Sequence, residues 1–124
     1  MFDRLSAYAP QALAVLRIIT ALLFIEHGTQ KFFGFPAEFP APLDPLFVVA
    51  GVLELVGGLL VLVGFFTRPV AFILAGEMAV AYWMFHAPQS VFPLVNMGEA
   101  AVLYCFVFLY LVFAGPGAWS VNKQ

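Results

Sequence analysis

Long apolar stretches alternate with short polar or proline-rich segments along this chain. The stretch of residues 46–66, LFVVAGVLELVGGLLVLVGFF, contains a single charged residue, Glu54. Roughly 20 apolar residues in a helix match the thickness of the hydrocarbon core of a bilayer. Other stretches are similar, so the pattern predicts four transmembrane helices, at about residues 11–29, 46–66, 70–85 and 94–113.

The intervening segments predict how these helices connect. Residues 31–45, KFFGFPAEFPAPLDP, contain prolines that exclude a continuous helix, and their phenylalanines favour the membrane interface. Asp44 and Pro45 are typical of the N-cap and first position of a helix. Residues 67–69 form a turn short enough for a helical hairpin. The predicted fold is therefore all-α, with residues 1–124 forming one antiparallel four-helix membrane domain.

The composition narrows the class of protein. Of the 124 residues, 64% are hydrophobic and 10% are charged, which is too apolar for an ordinary soluble domain. A net charge of −2 with scattered lysines and arginines provides no surface for nucleic acid. The single cysteine, Cys105, excludes an intrachain disulfide and dithiol redox chemistry.

The positive charges predict the orientation. Arg4, Arg68 and Lys123 lie on the side of the two termini, and Lys31 lies on the other side. Because cytoplasmic segments of membrane proteins are enriched in Lys and Arg, both termini are expected in the cytoplasm.

Small residues indicate which helix faces pack together. Gly51, Glu54 and Gly58 are spaced i, i+3, i+7 on the second helix and share one face, which Gly57 adjoins. Small residues let a neighbouring backbone approach closely. On the first helix, the stripe expected to face inward contains Arg17, Ala21, Phe24, Gly28 and Lys31.

Each predicted helix carries a carboxylate in the half of the bundle away from the termini. Ionisable groups within a membrane are costly and mark functional sites by default. Asn96 and Glu99 share one face of the fourth helix, whereas Glu26 lies opposite the inward stripe and is directed at headgroups, a second protomer or another protein. The sequence therefore predicts a pocket or proton relay formed by Arg17, Lys31, Glu54, Glu77, Asn96 and Glu99.

The charges of this predicted pocket do not balance. Two cations, Arg17 and Lys31, face the carboxylates of three glutamates, which leaves one negative charge in excess. At least one glutamate is therefore expected to be protonated at pH 7. Such a group either exchanges protons beside a lipid-soluble redox carrier or forms a static hydrogen-bonded lock between helices, and the sequence supports both interpretations.

No metal site is predicted. His27 and His86 lie at the ends of predicted helices and are expected at the membrane interface. Neither has a ligand partner three or four residues away, and the Glu-x-x-His pair of carboxylate-bridged metal sites does not occur.

Several motifs run through the chain: Arg17, His27-Gly28-x-x-Lys31, Glu54-x-x-Gly57-Gly58, Glu99 and Gly115-Pro116-Gly117-x-Trp119-Ser120. Together they resemble the DoxX family of small four-helix membrane proteins, and the resemblance covers essentially the whole chain. The polar motif of the family corresponds here to Arg17, Gly28, Lys31, Glu54 and Glu99. Glu26 and Glu77 lie outside this motif, and Asn122 occupies a position that is commonly acidic in the family.

The resemblance implies a multi-pass protein of the bacterial inner membrane that is associated with redox systems. Founding members resemble subunits of terminal oxidases and of thiosulfate:quinone oxidoreductase, and other members anchor soluble oxidoreductases to the membrane. The resemblance therefore implies a membrane subunit or anchor of a quinone-linked system. In this role the chain would have no intrinsic cofactor, would bind a quinone, and would receive electrons from a soluble or membrane oxidoreductase partner.

Two alternatives remain open at this stage. In the first alternative, the chain is a non-enzymatic scaffold or assembly factor for a partner protein, and the buried charges only stabilise its fold. A proton-coupled carrier is less favoured, because four short helices without an inverted repeat offer little machinery for alternating access. Whether the chain takes part in catalysis, and whether it forms a homo-oligomer, is not decided by the sequence.

Overall fold

Four long helices build the structure, a computed structural model that describes residues 2–124. The helices are α1, Ala9–Phe33, α2, Pro45–Val63, α3, Thr67–Gln89, and α4, Glu99–Ala114. A 3-10 helix, Phe2–Tyr8, leads into α1, and a one-turn helix, Pro93–Asn96, precedes α4. The part of the chain that the structure describes contains no strand, so the predicted all-α class is confirmed.

The first three helices are long and apolar enough to cross a membrane, whereas α4 is shorter. Its 16 residues span about 24 Å, less than the roughly 30 Å of a hydrocarbon core. The apolar band continues through the exposed side chains of Val91, Leu94 and Val95 that precede α4.

The continuous fourth helix predicted over residues 94–113 is broken near its start. Met97 has a left-handed backbone, with φ of 63°, and separates the one-turn helix from α4. The Asn96 side chain accepts a hydrogen bond from Gly98 N at 2.8 Å. Asn side chains that bond to nearby backbone compete with the helix, and apolar periodicity does not report this competition.

The other helices differ from their predicted limits by a few residues at their ends. Asp44 caps α2, because its Oδ1 accepts a hydrogen bond from Phe47 N at 3.0 Å. α2 ends before Gly64, whose φ of 73° is left-handed, and α3 already begins at Thr67. The turn therefore lies over residues 64–66 rather than 67–69, because Pro69 fits the first turn of a helix.

The helices associate in two close pairs, with α1 along α2 and α3 along α4. The core between them contains Phe24 of α1, Val61 of α2, Leu74 of α3 and Phe108 of α4, all fully buried. The inward stripe expected on α1 is buried over Arg17, Ala21, Phe24 and Gly28. Two ends are distinguished below: the terminal end holds both termini and residues 64–66, and the loop end holds residues 34–44 and 90–98.

Glycines set the close approach of α1 and α2. A Cβ at Gly28 would lie 2.7 Å from Leu55 Cγ and 3.1 Å from the carbonyl oxygen of Gly51. A Cβ at Gly58 would lie 2.6 Å from a side-chain carbon of Ile25. Gly57 is similarly close to Leu74, so the glycines of α2 contact α1 on one side and α3 on the other.

Candidate functional site

A cavity of about 470 Å³ opens at the loop end of the bundle, between the four helices and the phenylalanine-rich loop 34–44. Its walls are largely apolar and aromatic. The apolar side chains include Phe39, Leu46, Phe47, Met78, Met84 and Phe85. The polar side chains are His27, Lys31, Glu54, Glu77, His86 and Tyr104. The cavity is therefore mostly apolar and contains a small cluster of ionisable side chains.

An ion pair joins α1 to α2 at the cavity. Lys31 Nζ lies 2.8 Å from Glu54 Oε1, and the two side chains are only 9% and 3% exposed. Lys31 reaches this position because α1 continues to Phe33 and so holds the lysine in its last turn. A buried charge is tolerated when it is paired and hydrogen-bonded, as both groups are here.

Glu77 of α3 extends the ion pair to a third helix. Its carboxyl group is in hydrogen-bond contact with the carboxyl group of Glu54. A hydrogen bond between two carboxyl groups requires one proton, because an ionised carboxylate only accepts. The two glutamates together therefore carry one negative charge, which the positive charge of Lys31 balances. Glu77 Oε1 is buried and accepts no hydrogen bond from an N–H or hydroxyl group among residues 2–124.

Aromatic side chains enclose the charged cluster. Lys31 Nζ lies 5.1 Å from the centre of the Phe39 ring, a distance typical of a cation–π contact. The ring of Phe47 contacts those of Phe39 and Phe85, with centroids 5.0 and 5.4 Å away. These contacts connect loop 34–44 to the start of α2 and to the last turns of α3.

Three polar residues of the cavity, His27, His86 and Tyr104, were not assigned to the site from the sequence. His27 was expected at the interface and Tyr104 was not singled out, yet their rings lie 5.6 Å apart, edge to face, beside the cluster. Tyr104 is one of two hydroxyl-bearing side chains in the apolar sequence of α4, together with Tyr110, and this was the available signal. His27 lies four residues before Lys31, so both occur on neighbouring positions of α1.

Two π-helical segments border the cavity. Residues Leu53–Gly57 contain Glu54, and residues Tyr82–His86 contain His86. A π turn accommodates an extra residue and rotates the side chains that follow it, and such turns are frequent at functional sites. The π turn of α2 therefore lies in the segment that carries the buried Glu54 carboxylate.

Arg17 does not take part in the cavity, and the predicted pocket is corrected accordingly. It lies 14 residues before Lys31, about 21 Å along α1, at the terminal end. Its guanidinium group is fully buried and donates hydrogen bonds to four backbone carbonyl oxygens. The acceptors are those of Pro116, Ala118 at 3.1 Å, Trp119 at 3.1 Å and Leu62 at 3.4 Å.

The acceptors of Arg17 come from residues 115–124, which fold back under the bundle. Ala118 N donates to Pro10 O at 2.9 Å, and Val121 N donates to Val63 O at 3.0 Å. Asn122 Oδ1 accepts a hydrogen bond from Phe66 N at 3.0 Å. This returning segment therefore ties α1 to the α2–α3 turn, and helical periodicity contains no information about it.

Asn96 and Glu99 also differ from their expected placement on one inward face. Asn96 is fully buried, but its Nδ2 donates to Tyr82 Oη at 3.1 Å and to Ser90 O at 2.9 Å, so it braces the α3–α4 connection. Glu99 is exposed at the first position of α4. The break at Met97 removes the helical register that would have aligned the two side chains. Glu26 is exposed, as its position opposite the buried stripe of α1 predicts.

A family model described as DoxX matches residues 12–87. The chain belongs to the DoxX family. The matched residues include Lys31, Glu54 and Glu77, the three members of the charged cluster, although α4 lies beyond the match. Membership in this family and the apolar helices together identify a membrane protein.

Relatives of this DoxX-family chain align with it over most of their length. An uncharacterized protein of Haemophilus influenzae is 46% identical, over 98% of this chain and 96% of its own length. The Escherichia coli inner membrane protein YphA is 31% identical, over 95% and 93% of the two chains. The inner membrane protein YqjF of the same species is 32% identical, over 88% of each. No solved structure is significantly similar to the chain.

Proposed function

We propose that this DoxX-family chain binds a quinone-type, lipid-soluble molecule in the loop-end cavity, as the membrane subunit or anchor of a redox system. The observation that carries the proposal is the position of the Lys31–Glu54–Glu77 cluster at a chamber with apolar and aromatic walls. Ligand sites are commonly such chambers, with a few polar groups that orient the bound molecule.

The dimensions and chemistry of the cavity favour this class of ligand. A volume of about 470 Å³ lies within the range of about 300–1,000 Å³ that is typical of small-molecule sites. Phenylalanine and methionine side chains suit an apolar ring and its tail, and Met adapts to irregular shapes. The Lys31 ammonium would donate a hydrogen bond to a carbonyl oxygen of a quinone headgroup.

The residues of this chain would bind the quinone and exchange its protons, while an oxidoreductase partner would supply electrons. The shared proton of Glu54 and Glu77 supports this division, because a paired carboxyl group is able to take up or release a proton beside a redox carrier. The chain itself would then be a non-catalytic, quinone-binding subunit. A location in the bacterial inner membrane is supported by YphA and YqjF, which are inner membrane proteins. The proposed cytoplasmic location of both termini is supported by Arg4, Arg68 and Lys123 on the terminal side.

The test is binding of a decyl-tailed benzoquinone to the purified protein in detergent. Binding would raise the melting temperature, because a ligand that binds only the folded state stabilises it by RT ln(1 + [L]/Kd). The double variant Lys31→Met with Glu54→Gln removes both charges together and should abolish the rise. The matched control is Glu26→Gln, which alters an exposed glutamate of α1, the helix of Lys31. This control should retain the rise in melting temperature.

The competing role as a scaffold predicts a different outcome. A scaffold would show no thermal shift with the quinone and would co-purify with a partner protein from native membranes. An equal shift in the double variant and in the control would also overturn the proposal, because the quinone would then bind outside the charged cluster.

A further inference from the structure

A second, smaller cavity lies between α1 and α4, where one close helix pair meets the other. This groove has a volume of about 240 Å³. The residues that line it are Thr20, Leu23, Ala100, Leu103, Tyr104 and Val107. The four from α4 are spaced i, i+3, i+4 and i+7, so they form a single stripe opposite the two from α1. The groove is therefore a largely apolar seam between two helices.

The groove adjoins the loop-end cavity. Ala100 and Tyr104 line both spaces. Ala100 is exposed and its side chain is a single methyl group, so little side-chain volume lies at this point of the shared wall. His27, a cavity residue whose ring contacts Tyr104, is also exposed. The cavity is thus open on its α1–α4 side, and the groove begins there.

We infer that the groove holds the hydrocarbon tail of the ligand whose headgroup lies in the loop-end cavity. This inference rests on the proposed function and adds the path by which the tail leaves the cavity. A tailed quinone combines a polar ring with a long apolar chain. Its site therefore needs a chamber with polar groups for the ring and an apolar exit for the chain, and the groove supplies this exit.

The direction of the groove suits a ligand that arrives from the bilayer. From Ala100 to Val107 the groove runs about 10 Å along α4, away from the loop end. On α1, Thr20 lies about 20 Å from the end of the helix at Phe33. A tail in the groove therefore points toward the middle of the membrane, where the hydrocarbon core surrounds its free end.

Aromatic contacts hold the wall between the two spaces in place. The Tyr104 ring meets Phe24 edge to face, with centroids 5.2 Å apart, and stacks on Phe108 at 6.1 Å. Both phenylalanines are fully buried. Because this wall is supported from the core, the groove is preformed, and a preformed site avoids the cost of ordering its side chains when the tail binds.

Val107→Phe tests the inference, because residue 107 lines the groove but not the cavity. A phenylalanine at this position fills part of the groove and leaves the headgroup site unchanged. The matched control is Val102→Phe. Val102 is also a half-buried valine of α4, and it lines neither space.

The measurement compares a methyl-tailed and a decyl-tailed benzoquinone with the same ring, by calorimetry in nanodiscs of one lipid composition. The ratio of their dissociation constants is the tail preference, and partitioning of the tail into lipid changes this ratio by the same factor in every variant. Val107→Phe should lower the tail preference at least about fivefold relative to the natural chain, with binding of the methyl-tailed compound unchanged. Val102→Phe should keep the natural tail preference.

Photolabelling provides a second measurement that needs no substitution. A decyl-tailed benzoquinone with a diazirine in its tail should label residues 20–23 or 100–107 of the natural chain. An excess of unlabelled decyl-tailed benzoquinone should suppress this label, because both compounds compete for the same site.

The outcomes distinguish the inference from the proposed function. If Val107→Phe keeps the natural tail preference, or if the suppressible label lies on cavity residues of α3 such as Val80 or Met84, the tail path is wrong and quinone binding stands. A label in the groove that the excess does not suppress would indicate a membrane lipid as its occupant and would also overturn the inference. If neither benzoquinone binds to the natural chain, the proposed function itself fails.

Discussion

Arg17 and Lys31 lie on the same inward face of α1, yet they serve opposite ends of the bundle. Arg17 donates to backbone carbonyl oxygens at the terminal end, including those of Ala118 and Trp119. Lys31 pairs with Glu54 at the cavity of the loop end. Arg17 therefore stabilises the fold at the terminal end, and Lys31 belongs to the candidate site. The two roles are tested separately by substitutions at the two residues.

Arg17→Met should lower stability strongly without direct damage to the cavity. The change removes the donors of four carbonyl oxygens, and leaving buried acceptors unpaired costs about 1–3 kcal/mol each before relaxation. The expected result is a large fall in the melting temperature in detergent. Arg17→Lys should also be destabilising, because an ammonium cannot reproduce the planar fork of the guanidinium group.

The exposed Arg4 provides the control for this prediction, and Arg4→Met should leave the melting temperature nearly unchanged. Loss of quinone binding in folded Arg17→Met protein, with a normal melting temperature, would contradict the separation of the two ends.

Gly64→Ala should weaken the contact between the α2–α3 turn and the returning segment. Gly64 has φ of 73°, and a Cβ there would overlap Ser120 Cβ. Strain of this kind costs about 1–3 kcal/mol. Gly76→Ala is the matched control, since nothing lies within 4 Å of its Cβ position and Ala favours a helix over Gly.

Thermal unfolding of these two glycine variants should therefore shift in opposite directions, downward for Gly64→Ala and slightly upward for Gly76→Ala. Equal shifts would show that the turn is not held tightly by residue 120.

The single variant Lys31→Met should be less stable than the double variant Lys31→Met with Glu54→Gln. Breaking a buried ion pair by removing one partner costs about 3–5 kcal/mol, whereas replacing both partners is often close to neutral. Unfolding in detergent measures the difference. A single variant as stable as the double variant would mean that Glu54 and Glu77 accommodate the loss by protonation.

Asn96→Ala should destabilise the loop end, whereas Glu99→Gln should not. Asn96 is fully buried and makes hydrogen bonds to Tyr82, Ser90 and Gly98, so its loss leaves partners unpaired at a cost of about 1–3 kcal/mol. Glu99 is exposed, and its substitution should stay within about 0.5 kcal/mol. Equal effects on the melting temperature would contradict the positions of the two side chains.

The orientation of the chain is tested by reporter fusions at its C-terminus. The proposed cytoplasmic location predicts fluorescence from a fused green fluorescent protein and no activity from fused alkaline phosphatase. Two of the positive charges behind this proposal also bind carbonyl oxygens: Arg68 Nη1 donates to Phe113 O at 2.7 Å, and Lys123 Nζ donates to Gly117 O at 2.9 Å. Active alkaline phosphatase would place the terminal end on the outer side.

Helical periodicity correctly predicted which faces of α1 are buried and exposed. It did not predict which groups the buried side chains contact. It placed Arg17, Phe24 and Gly28 on the buried face of α1 and Glu26 on the exposed face, because burial follows from the angle between positions on one helix. It could not show that Arg17 binds carbonyl oxygens of a segment about a hundred residues away. That contact depends on how residues 115–124 fold back.

The position of Glu99 illustrates a second limit of the sequence. Its predicted place on an inward face assumed an uninterrupted helix, and a single left-handed residue, Met97, invalidated that register. By contrast, the sequence did place Lys31 and Glu54 in one pocket, because a long lysine side chain at the end of a helix is able to reach inward. It did not show which of the two cations, Arg17 or Lys31, pairs with Glu54.

The separation of Arg17 from its acceptors along the chain has a consequence for biosynthesis. The helix that carries Arg17 is synthesised long before residues 116–119, which supply three of the four carbonyl oxygens that accept its hydrogen bonds. Until residues 116–119 emerge, the nascent helix holds an unsatisfied guanidinium group, which favours its retention beside the insertion machinery or near the headgroups. We therefore expect the bundle to reach its closed form only after residues 116–119 have been synthesised.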